Sequence, residues 1–155
     1  TGLLPALEGA YFDQRLTLMQ NDVGVFQNRW VRIAFDPRSP CVFTRGLDTM
    51  ELPVRHGEGK IFTLDRSLLD AMEAGGGVVC RYIDPATGAP TQDVPWNPNR
   101  SLRAIAGLCD PTGRVFGLMP HPEAFLFPEN HPLWARRQPA EGEGLRLFTN
   151  AVRAM

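Results

Sequence analysis

A chain of 155 residues, 43% of them hydrophobic, is long and apolar enough to bury one real core. Its net charge of −1, with no local basic cluster, gives no electrostatic reason to expect nucleic acid or an anionic membrane as partner. No apolar run approaches the roughly 20 residues needed to span a bilayer and no signal peptide opens the sequence, so a cytoplasmic protein is expected.

Residues 15–22 alternate well enough for a strand, and residues 30–35 put Val31, Ile33 and Phe35 on one face with Arg32 opposite, a half-buried strand by period. The segment His56-Gly57-Glu58-Gly59 lies between two strand-like stretches. It reads either as a glycine turn with two solvated side chains, or as a loop whose bare backbone amides let a ligand approach. Asp65 is placed to cap a short helix carrying Leu68, Leu69 and Met72, which Gly75-Gly76-Gly77 ends. Residues 78–82 read as a strand. Residues 83–101 contain Pro85, Gly88, Pro90, Pro95 and Pro98, which predicts an exposed loop.

A hairpin is expected to join residues 102–109 to 114–120 across Pro111-Thr112-Gly113. Val115, Phe116, Leu118 and Met119 read as a buried strand stopped by Pro120 and Pro122. If the chain stays extended through Pro122, His121 and Glu123 project to the same side, an imidazole with a carboxylate to orient it. Motifs of this length also recur by chance as loop residues. Leu145, Phe148, Ala151, Val152 and Met155 fall at helical spacing, predicting an amphipathic helix that packs on the sheet. There is no internal repeat or low-complexity tract.

Three cysteines, Cys41, Cys80 and Cys109, form no Cys-x-x-Cys pair and no zinc-site spacing. Cys80 and Cys109 sit inside strand-like runs and are expected to be small buried hydrophobes. Cys109 as a nucleophile paired with His121 is the alternative. A reactive thiol usually stands at a helix N-terminus or beside a cation, whereas Cys109 precedes a turn.

Taken together, TGLLPAL (1–7), NRWVRIAF (28–35), LPVRHGEGKIF (52–62), VVCRY (78–82), NPNRSLRAIAGLCDPTGRVFGLMPHPE (97–123) and GLRLFTNAV (144–152) resemble one family over nearly the whole chain. The resemblance is to the glutaminase subunit or domain of phosphoribosylformylglycinamidine synthase, a class I glutamine amidotransferase of purine biosynthesis. It implies an α/β, flavodoxin-like fold, a mostly parallel sheet with helices on both faces. Residues 1–155 would be the C-terminal portion of one such domain, truncated at the N-terminus. The family's nucleophile, in a Cys-Asn-Gly elbow, precedes the segment matched by GLLP, so the N-terminal strands and the elbow would lie before Thr1.

The resemblance makes His121 and Glu123 the catalytic pair, and sets His56, Gly57 and Glu58 beside the amino-acid end of a glutamine substrate. It implies no cofactor in this chain, ATP and magnesium belonging to a synthetase partner. Asn21, Gly24, Phe26, Asn28, Arg29 and Trp30 match the family's pocket loop loosely, leaving that loop and a plain strand connection with a core Trp30 both open. Arg55, Arg100 and Ala124 depart from the family's usual residues. Two alternatives remain: a glutaminase serving a different synthetase, and a non-catalytic fragment that only packs on its partner. His131 has no assigned role.

Overall fold

The computed structural model describes residues 2–155. Its main sheet has the order β3-β2-β5-β6-β7, from β2 (Gln27–Phe35), β3 (Thr49–His56), β5 (Val78–Tyr82), β6 (Ile105–Cys109) and β7 (Phe116–Leu118). A second, two-stranded sheet pairs β1 (Thr17–Gln20) with β4 (Glu58–Phe62). The mixed α/β architecture agrees with the class I glutamine amidotransferase fold.

The mostly parallel sheet expected there is corrected for these residues, since all five ladders are antiparallel. Parallel neighbours need a crossover of a dozen or more residues, usually with a helix. Here β6 and β7 are joined by a six-residue turn, 110–115, and the longer links return each strand in the opposite sense.

The alternation in β2 works as expected, with Val31, Ile33 and Phe35 buried and Arg32 exposed. In β3, Met50, Leu52, Val54 and His56 point into the core while Arg55 faces out. Pro53 is tolerated because β3 is an edge strand, where a missing N–H leaves no ladder bond unmade. The carbonyl of Pro53 accepts the His121 N–H at 2.8 Å. Laid flat, five strands would hold β7 and β3 roughly 19 Å apart, and the three residues from Leu118 to His121 reach at most about 10 Å. The sheet must therefore curl, bringing the exit of one edge strand onto the other edge.

Helices pack on both faces. In α1 (Arg66–Ala74), the Asp65 carboxylate accepts the Leu68 N–H at 3.2 Å, and Leu68, Leu69 and Met72 join Ile61, Val78, Ile105 and Leu108 in one cluster. Gly76 ends the helix at φ +71°, where a side chain would be strained. The other cluster holds Val31, Ile33, Leu52, Val54, Tyr82, Ala106, Phe125 and Leu147. A single helical turn, α2 (Trp134–Arg137), precedes α3 (Leu145–Arg153).

The sequence chose the wrong face of α3: Leu145, Phe148, Val152 and Met155 are exposed and Leu147 is buried. Asn150 fixes this rotation, its amide donating to the carbonyls of Phe43 and Arg45, both at 2.9 Å. Two satisfied backbone carbonyls and a buried leucine outweigh an apolar stripe with nothing beside it. Strand β7 is half-buried rather than buried, because an apolar cleft of about 580 Å³ runs along it between Leu4, Leu16, Leu18 and Phe116. No helix among the described residues is long and apolar enough to cross a membrane.

Candidate active site

His121 and Glu123 are brought together, though not on extended chain. Pro122 opens a 3-10 turn over Pro122–Ala124, with the Ala124 N–H donating to the His121 carbonyl at 3.2 Å and that of Phe125 to Pro122 at 3.0 Å. Proline fixes φ near the helical value and lacks an N–H that the first turn would leave unpaired, so it favours this tight turn over continued strand. The result is a 2.6 Å hydrogen bond between His121 Nδ1 and Glu123 Oε1. A carboxylate accepts from Nδ1–H, which leaves Nε2 as the basic nitrogen of the neutral ring. The imidazole is 36% exposed, open to a reactant on one side.

The turn is held from below by the Pro53 carbonyl and from beside by Phe125, which meets Trp30 edge-on at 5.0 Å between ring centroids. Trp30 thus packs against the core, the second of the two roles its segment allowed.

His56, Gly57 and Glu58 do not form a free turn. β3 ends at His56 and β4 begins at Glu58, so Gly57 is the corner between the two sheets. Its carbonyl accepts the Asn21 N–H at 2.9 Å, and a Cβ there would meet nothing within 4 Å. His56 follows the core face of β3 while Glu58 is exposed on β4. Although His56 and Glu58 stand two residues apart, the bend at Gly57 sends the two side chains apart.

Gly59 is needed for packing rather than ligand approach: a Cβ would stand 3.0 Å from Asn99 Nδ2, His56 Nδ1 and Met119 Sδ. The loop predicted as exposed is buried where it backs this corner. Asn97, Asn99 and Ser101 are fully covered, and Asn99 Nδ2 donates to the Gly59 carbonyl at 2.7 Å.

Beside this corner lies an unusual set of buried polar atoms. Gln27 pairs with His56 across the β2–β3 ladder, and Asn21 Nδ2 donates to the His56 carbonyl at 2.8 Å. Asn21 Oδ1, Gln27 Oε1 and both His56 ring nitrogens are buried without a hydrogen-bond partner among the described residues. Buried polar atoms are rarely left so. Burial, aided by the charge of His121, lowers the His56 pKa from its ordinary 6.5. A neutral imidazole therefore stands near the exposed one.

The thiols are remote from this chemistry. Cys109 pairs with Phe116 at the far end of the β6–β7 hairpin, five residues before His121 in strand register, roughly 10 Å or more away. The neighbouring Cys41 thiol and burial both push the Cys109 thiol up, and burial raises Cys80 strongly. Hydrogen bonding from Cys109 lowers Cys41, which is buried in the same region. Sequence reasoning passed over His131, which is buried against Trp30 at 4.4 Å and Phe125 at 5.6 Å. Its position after Asn130 in a proline-flanked loop carried no periodic signal.

A family model described as the CobB/CobQ-like glutamine amidotransferase domain matches residues 1–154. The chain is 43% identical to the phosphoribosylformylglycinamidine synthase subunit PurQ of Dehalococcoides mccartyi, over 99% of this chain and 57% of that protein. It is 35% identical to human phosphoribosylformylglycinamidine synthase over 88% of this chain and 10% of the human protein. Among solved structures, PurLQS from Thermotoga maritima is similar at a TM-score of 0.61 and 27% identity, covering 89% of this chain and 52% of that one. The chain thus spans a little over half the length of the bacterial subunit it matches.

Proposed function

The chain belongs to the CobB/CobQ-like glutamine amidotransferase domain family, and from that premise we propose that it carries the proton-transfer half of a glutaminase supplying ammonia to a synthetase. The reaction served in this reading is the conversion of formylglycinamide ribonucleotide to its amidine in purine biosynthesis, which the similarity to subunits and enzymes named phosphoribosylformylglycinamidine synthase supports. The observation that carries this reading is the 2.6 Å His121–Glu123 bond on a turn fixed to Pro53.

In this reading residues 1–155 are the C-terminal portion of one domain, and the thiolate nucleophile stands in a preceding segment. His121 Nε2 takes the proton of the thiol, the thiolate attacks the side-chain amide carbon of glutamine, and the imidazolium passes that proton to the leaving ammonia. His121 then takes a proton from water, which hydrolyses the glutamyl thioester. Glu123 holds the ring in the required tautomer and stabilises the imidazolium that exists before the transfer to ammonia and again after the transfer from water. His56, Gly57 and Glu58 line the amino-acid end of the substrate, where Gly57, with nothing within 4 Å of a Cβ, leaves room for it. ATP and magnesium act on the synthetase side.

The test is His121→Ala in the complete domain assembled with its synthetase. Glutamine-dependent synthesis is expected to be abolished while ammonia-dependent synthesis persists, and loss of both would assign His121 a structural role. The 155-residue chain by itself is expected to release no ammonia from glutamine and to gain turnover on co-expression with the preceding segment. Comparable turnover without that segment would refute the position of the nucleophile.

A further inference from the structure

The His121–Glu123 turn has a second support besides Pro53, in the segment that leads into the last helix. Glu141-Gly142-Glu143-Gly144 leads into α3. Gly144 has φ −60° and ψ −26°, ordinary helical backbone that any residue adopts, so conformation does not demand glycine there. Space does. A Cβ on Gly144 would stand 2.0 Å from the Pro122 carbonyl oxygen and 2.7 Å from its carbon. A Cβ on Gly142 would stand 2.4 Å from the Phe125 carbonyl oxygen. Contacts this short are to backbone, which cannot swing aside as a side chain would. The same two glycines also bond into the turn, Gly144 N–H donating to Phe125 at 2.9 Å and Gly142 N–H to Leu126 at 3.3 Å.

Glu143, between them, ties this support to the strand that holds the other side of the turn. Its Oε2 accepts the Glu51 N–H at 2.7 Å, two residues before Pro53 on β3. The Glu51 side chain is itself occupied, pairing with Arg137 and facing buried His131 at 3.7 Å. The turn is therefore held by the Pro53 carbonyl at His121 and by the Gly144 backbone at Pro122 and Phe125, and both supports are referenced to β3.

We propose that Gly144 and Glu143 are positioning residues for the His121–Glu123 pair: the glycine admits the turn to its place, and the glutamate locks that place to β3. The inference rests on the glutaminase reading for its kinetic consequence but not for its geometry. A displacement of about 1 Å at a reacting group costs on the order of 100-fold in rate. In the complete glutaminase, Gly144→Ala is thus expected to lower kcat for glutamine hydrolysis about 100-fold, with KM changed less than about threefold and ammonia-dependent synthesis retained. Glu143→Ala is expected to lose about 10-fold, and Glu143→Gln, which keeps an acceptor for the Glu51 N–H, to recover most of it.

The companion measurement needs no turnover. The His121 Nδ1 proton, held in a 2.6 Å bond, should give a downfield NMR signal that shifts or vanishes in Gly144→Ala and Glu143→Ala and persists in Glu143→Gln. An inactive parent protein would sink the glutaminase reading while leaving the NMR arm to decide the positioning role. An unchanged proton signal and kcat in Gly144→Ala and Glu143→Ala would overturn the proposal. So would loss of ammonia-dependent synthesis in parallel with kcat, which marks general unfolding. If Gly144→Ala does not fold, the Glu143 pair decides by the same readouts.

Discussion

Two His-x-Glu segments in this chain have the same spacing and opposite outcomes. At 121–123 a proline-opened turn folds the carboxylate onto the imidazole, and the ring stays partly open to solvent. At 56–58 a glycine corner between two sheets parts the side chains, burying the histidine with both nitrogens unpaired among the described residues and leaving the glutamate exposed. Two residues of separation guarantee a common face only on regular strand, and neither segment is regular there. What decides is the residue between: proline commits the backbone to a tight turn, whereas glycine lets it change sheets.

The comparison is broken most sharply by removing each carboxylate in the complete enzyme. Glu123→Gln is expected to reduce kcat for glutamine hydrolysis by about 10²- to 10⁴-fold, because the ring loses its tautomer and its counter-charge. Glu58→Gln should instead raise KM for glutamine with kcat held within a few-fold. Steady-state kinetics separates the two, and a matching kcat loss at Glu58 would make the segments equivalent after all.

The two glycines flanking Glu58 give a smaller effect, read in stability. Gly59→Ala must push on Asn99, His56 and Met119 at 3.0 Å and is expected to cost about 1–3 kcal/mol. Gly57→Ala, with open space at its Cβ, should stay within about 0.5 kcal/mol. Denaturant unfolding of the two variants checks this.

The buried histidine is also distinguishable by pH. Burial first, then the charge of His121, lowers the folded pKa of His56 below its unfolded value, outweighing an opposing backbone hydrogen bond. Its contribution to stability is then fully present above about pH 6.5 and is lost as pH falls toward the folded value, with a slope of at most about 1.4 kcal/mol per pH unit. Stability curves between pH 7.5 and 5 should lose this component in His56→Gln. The smallest expected effect is at the thiols: a glutamine-mimicking electrophile should leave Cys80 and Cys109 unlabelled by mass mapping, and stoichiometric labelling of Cys109 would restore it as a nucleophile.

What could be read in advance was local. The Asp65 cap, the buried face of β2 and the 110–115 turn each follow from residues within a few positions of one another, where propensity and hydrogen-bond chemistry act directly. Errors arose where a distant segment cast the deciding vote. Helix α3 turned its apolar stripe outward because Asn150 found the carbonyls of Phe43 and Arg45, over a hundred residues away in sequence. The end of the loop at 83–101, Asn97 to Asn99 and Ser101, went inside where it backs the Gly59 carbonyl, which takes its donor from Asn99.

The sequence by itself determined the chemistry available: which side chains carry imidazole, carboxylate and thiol, the family they mark, and the prolines and glycines at which the chain must turn. Only the tertiary structure decided which of those groups meet. Curling of the sheet brings the end of β7 to Pro53 on the opposite edge, and Gly144 reaches Pro122 from the start of the last helix. Such contacts join residues some 20 to 70 positions apart, so no periodicity in the chain encodes them. They arise because closing a curled sheet over one core satisfies buried carbonyls and apolar faces together, and that optimum belongs to the whole fold rather than to any stretch of it.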